Sequence, residues 1–173
     1  MSDARKGRRL ALFRGVNGTD INDTDMMHTP TMNPGVADGV SDGFSALAKG
    51  SEVRVLFGRP GDQGSMSLVE AWYKPDFALP QHSHDVDCLY YVTRGSLLMG
   101  ARALASGDGI FAPADVPYQF VAGPEGVVVL EFRTSRSFGM SITENDPSRW
   151  MDLIHRARDK SDLWETLTSP PER

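Results

Sequence analysis

Cysteine is almost missing from this chain: Cys88 is the single one in 173 residues. An intrachain disulfide framework is therefore excluded, and a reducing cytoplasm is the expected compartment. Histidine is scarce as well, with four in all, so an imidazole site must draw on His28, His82, His84 and His155. No apolar run approaches the roughly 18 residues that a membrane-spanning helix needs. Positive charge is in deficit, with 18 Lys and Arg against 23 Asp and Glu, a net charge of −5 and a pI near 5.3. That balance offers no broad basic face to nucleic acid. The basic residues that do cluster (Arg5, Lys6, Arg8, Arg9, Arg14) flank Leu10-Ala11-Leu12-Phe13, an apolar run too short for a signal-peptide core. They read as a solvated tail.

What remains is ordinary for a water-exposed globular domain: 40% hydrophobic and 24% charged residues, long enough to bury a core. Seventeen Gly and eleven Pro imply many turns, which suits an all-β chain. Residues 1–50 are dominated by small polar residues with no lasting period and read as an irregular arm. Residues 51–140 carry the strand signals. Residues 141–173 turn helical: Asn145 or Asp146 can cap a helix with Pro147 in its first turn. Trp150, Leu153, Ile154, Ala157, Trp164 and Leu167 then follow at helical spacing, with a possible break at Lys160-Ser161.

The most informative stretch runs from Ala78 to Gly100. His82 and His84 are one residue apart, so on a strand both imidazoles point the same way. If the strand stays regular, Val86, Cys88 and Tyr90 continue their row. Converging imidazoles begin a site for Zn, Fe, Mn, Ni or Cu. Cys88-Leu89-Tyr90-Tyr91-Val92 reads as a strand closed by a turn at Arg94-Gly95, with Ser96–Met99 returning as the hairpin partner. Ile110-Phe111-Ala112 reads as a buried strand, and Val127–Arg133 as the strongest strand of all, with Glu131 near its end. On the strand over Ser65–Tyr73, Glu70 shares a parity with Met66, Leu68 and Trp72. It either faces the pocket as a replacement ligand or lies exposed.

These residues resemble the two motifs of the cupin superfamily. His82-Ser83-His84 matches the first, with Cys88 where the family has Glu. Gly107 and Pro113 match the second, with Asp115 in place of Gly and Tyr118 in place of the third metal histidine. The resemblance implies a double-stranded β-helix (a cupin or jelly-roll barrel) and a homodimer paired through the N-terminal arm. It also implies a divalent metal (Fe, Mn, Ni or Zn) at His82, His84 and Tyr118, with Tyr118 and Cys88 as catalytic candidates. Gln119 and Asp115 are fallback ligands. The expected function is a small-molecule enzyme of dioxygenase, isomerase or lyase type. The alternative is a cupin that binds or senses a small ligand without metal.

Overall fold

The computed structural model describes residues 9–28, 30–32, 43–62 and 64–170. Nine strands lie within them: β1 Thr19–Asp20, β2 Ser51–Phe57, β3 Ser67–Tyr73, β4 His82–His84, β5 Cys88–Met99, β6 Arg102–Ala105, β7 Gly109–Ala112, β8 Val121–Arg133 and β9 Met140–Ile142. Two helices join them, α1 Phe44–Ala48 and α2 Pro147–Thr166. The larger sheet has the order β1-β2-β3-β8-β5-β6, with β7 also on β5, and β4 pairs with β9 in a second sheet. All these named-strand pairings are antiparallel.

Alternation decides what each strand sends inward. Along β8, Val127, Val129, Glu131 and Arg133 share one parity and are buried, while Phe132 is exposed. Along β5, Cys88, Tyr90 and Val92 are buried, while Leu89 and Tyr91 are exposed. The same rule corrects the reading of β3, whose inward row is Val69, Ala71 and Tyr73. Glu70 belongs to the opposite face, beside Arg54 and Leu130, and Met66 is exposed. Trp72 misled the parity because it too is buried, on the outer side.

Arg94-Gly95 is not a turn. β5 runs straight through it, and the register against β8 slips between Val92 and Arg94 and again between Gly95 and Leu97. Gly95 has φ +69° and abuts the backbone of Gly126, so it makes a bulge in a long strand and the hairpin turn falls after Met99. β7 also departs from expectation, because Phe111 points outward and is exposed.

Of the expected arm, residues 1–8, 29 and 33–42 lie outside the described residues. The rest is less irregular than its composition suggests. Thr19 and Asp20 extend the sheet beside β2, and Met27 bridges to Phe138. Ile21 and Met26 pack with Val55, Val69 and Phe138, so this part of the arm folds onto its own barrel. His28 is exposed.

At the other end α2 is one helix of 20 residues, unbroken at Lys160-Ser161. Asp146 caps it by accepting from the Ser148 amide. Trp150, Ile154, Ala157 and Trp164 are buried against α1 and the main core. Trp164 donates to the Pro75 carbonyl at 2.9 Å, and Lys74 donates to the Trp164 carbonyl at 2.9 Å, which ties the helix to the end of β3.

Candidate functional site

β4 is a three-residue strand in which every residue is buried. His82 and His84 project to the same side, with ring centroids 5.0 Å apart and planes at 80°. Each ring is fixed by its Nδ1. That of His82 lies 2.9 Å from the Pro80 carbonyl oxygen, and that of His84 2.8 Å from the Gly139 carbonyl oxygen. A carbonyl only accepts, so both Nδ1 atoms carry the proton and both Nε2 atoms keep a bare lone pair. Burial lowers the pKa of His82 to about 4. Burial lowers that of His84 as well, with the Arg133 charge acting in the same direction. Both rings are therefore neutral at physiological pH.

The two histidines border a cavity of about 170 Å³. Ile21, Met27, Val53, Leu79, Phe138 and Met140 supply its apolar wall; Tyr73, Tyr90, Glu131 and Arg133 supply further polar groups. Glu131 and Arg133 come from the inward row of β8. Arg133 Nη2 donates to Glu131 Oε2 at 2.6 Å, and the guanidinium lies 3.8 Å from the ring centre of Phe138. Burial works against the Arg133 charge, and Glu131 more than offsets it, so the side chain stays protonated. Tyr73 donates a long 3.4 Å bond to Glu131 Oε1.

The structure brings His82, His84, Cys88 and Tyr118 into one neighbourhood, but only the histidines line the cavity. Tyr118 stands beside His82, and its hydroxyl is hydrogen-bonded to that of Tyr90, the phenol that does line the cavity. Burial raises the pKa of both phenols, Glu131 adding to it, so both are protonated. Cys88 is buried opposite Ala112 and Arg133, and burial pushes its thiol up to about 12, far from a reactive thiolate. Gln119 and Asp115 are exposed outside the cavity, and His155 lies on the exposed side of α2.

For a divalent metal the fit is partial. Two neutral imidazoles with Nδ1 donating to a carbonyl and Nε2 bare are the form in which histidine ligates. Among the described residues, however, no group of three or more His, Cys, Asp or Glu is placed to hold an ion. Glu131, the carboxylate on the same cavity wall, is engaged by Arg133.

The sequence reading did not find Arg133 or Tyr73. The signal was present in the apolar run of β8, where Glu131 and Arg133 share the parity of Val127 and Val129. A charge pair on the inward row of a central strand is costly to bury, which marks it as a candidate for function.

No protein-family model and no curated protein matches this sequence. Solved structures do match. The polyketide cyclase RemF from Streptomyces resistomycificus has a TM-score of 0.51 at 22% identity, over 63% of this chain and 84% of its own. A variant of salicylate 1,2-dioxygenase from Pseudoaminobacter salicylatoxidans, in complex with gentisate, has a TM-score of 0.46 at 11% identity, over 62% of this chain and 35% of its own. An RmlC-like cupin from Shewanella frigidimarina has a TM-score of 0.42 at 21% identity, over 49% and 76%. At such identities a likeness speaks for the fold alone. Among the described residues no helix is long and apolar enough to cross a membrane. With its antiparallel strands, its HxH strand facing inward and the RemF superposition, the chain has a cupin-like jelly-roll fold, mostly β with two helices.

Proposed function

We propose that this cupin is a small-molecule enzyme whose site is the cavity at His82 and His84, with a divalent metal (Fe, Mn, Ni or Zn) held by their Nε2 atoms. One observation carries the reading: both imidazoles are buried, neutral and locked by Nδ1 on a backbone carbonyl, on the rim of one cavity. A metal so bound would act as a Lewis acid toward a small organic molecule, as dioxygenase, isomerase or lyase chemistry requires. The chain's own groups do the rest. His82 and His84 give two donors and leave the other positions to water and substrate. Tyr90 presents a protonated phenol, and Tyr118 holds that phenol through its own hydroxyl. Cys88 forms part of the packed wall behind Tyr90. The apolar residues favour an organic body, and fewer protein ligands than the four of a structural site would leave coordination open.

The second reading is a cupin that binds or senses a small ligand without metal. The Glu131–Arg133 pair favours it, because it engages the carboxylate of the cavity wall and leaves N–H bonds there for a ligand. Elemental analysis of untagged protein distinguishes the two. Near-stoichiometric metal that is lost in His82→Ala supports the enzyme. Protein that takes up no Fe, Mn, Ni or Zn when each is supplied overturns the metal.

A further inference from the structure

The guanidinium of Arg133 is almost fully buried, yet only one of its three nitrogens is satisfied. Nη2 meets Glu131, while Nε and Nη1 are shielded from solvent and find no hydrogen-bond partner among the described residues. A buried donor left unpaired is costly, the more so when it is charged. Three N–H bonds on a side chain that lines the cavity are therefore waiting for acceptors. Phe138 covers one face of the guanidinium and offers no lone pair.

We infer that Arg133 is the recognition residue for a small, largely apolar ligand carrying a carbonyl-type oxygen. This rests on the reading of the cavity as the working site. Size limits the ligand to about that of a single substituted ring, since ordinary ligand pockets begin near 300 Å³. The wall demands an apolar body, because Ile21, Val53, Leu79 and Met140 can give only dispersion contacts. Charge decides between a carbonyl and a carboxylate. Arg133 already answers Glu131 on the same cavity wall, so the pair offers no net positive charge. In the metal-free cavity a buried carboxylate would bring a second negative charge to a site whose cation is taken, whereas an uncharged oxygen uses the free N–H bonds without that penalty.

The test is a titration of the full chain with three isosteres, acetophenone, benzoate and ethylbenzene, followed by protein NMR. Acetophenone should bind about tenfold or more tighter than ethylbenzene, the margin of a hydrogen bond to a charged donor. The carbonyl stretch of bound acetophenone should move to lower frequency than in an apolar solvent. Equal binding of acetophenone and ethylbenzene, an unshifted stretch, a preference for benzoate, or no binding at all would each overturn the inference. Because Arg133→Met alone strands Glu131, the variant to use is Glu131→Gln with Arg133→Met, in which the preference should vanish; its survival there also overturns the inference. The titration is repeated after chelation. A preference present only with metal shows that the metal, not Arg133, reads the oxygen. A preference that persists while the His82 and His84 ring signals do not respond to the probe leaves this inference standing and removes the reading of the histidines as the reacting end.

Discussion

His82 and Tyr118 are joined twice. Their backbones exchange two hydrogen bonds, at 3.1 Å from the His82 amide and 2.9 Å from the Tyr118 amide, and their rings lie 4.4 Å apart. The residue that stands in for the third histidine of the cupin motif thus reaches the right place without lining the cavity. Its hydroxyl is spent on Tyr90.

Tyr118→Phe should therefore act on stability more than on metal. It deletes one buried hydroxyl and leaves that of Tyr90 without this partner, so urea unfolding should show a loss of about 1–3 kcal/mol. The backbone bridge to His82 is untouched by the change. Metal content should stay at the wild-type level, and a loss of metal would mean that Tyr118 is itself a ligand.

The pair on β8 should behave as a unit. Glu131→Gln or Arg133→Met alone leaves one buried charge unanswered, at a cost of about 3–5 kcal/mol. The double variant removes both charges and should recover much of that loss. A double-mutant cycle by chemical denaturation measures the coupling, and additive losses would mean that the two side chains do not depend on each other.

The barrel was legible in the sequence because its signals are local. His82-Ser83-His84, Gly107 and Pro113 have fixed spacing, and Val127-Val128-Val129-Leu130 of β8 is a continuous apolar run. The cavity was only half legible. Which face of β3 points inward depends on what covers Trp72, and no window of sequence contains that. Arg133 looks like the end of a strand until β5 and β8 are in register and Cys88 faces it. The N-terminal arm hid its strand because two residues are too few to show a period, and Thr19 and Asp20 pair along the edge of β2.

Gly95 leaves no room for a side chain in the long β5–β8 pairing. A Cβ built there would sit 2.0 Å from the Gly126 carbonyl oxygen, and its φ of +69° is strained for any L side chain. Gly95→Ala should destabilise by several kcal/mol, about the sum of a left-handed backbone penalty and an overpacking term. Thermal unfolding checks it; a melting temperature unchanged from wild type would mean that β5 and β8 separate locally at little cost.

Acid should weaken the fold through His82 before it reaches the ordinary carboxylate range. Its folded pKa, about 4, lies below the ordinary 6.5 because burial disfavours the imidazolium. The unfolded chain thus holds the extra proton between those two values, and stability rises with pH across that window. On acidification the contribution of neutral His82 is complete above about 6.5, declines below it and is gone under about 4. The full span is worth about 3 kcal/mol at 1.36 kcal/mol per pKa unit. Chelator-treated protein should therefore lose stability between pH 6.5 and 4, and His82→Gln should flatten that limb while the part due to His84 and the carboxylates persists. Urea midpoints taken across the window give the answer: parallel curves for wild type and variant would mean that His82 is not held neutral by burial.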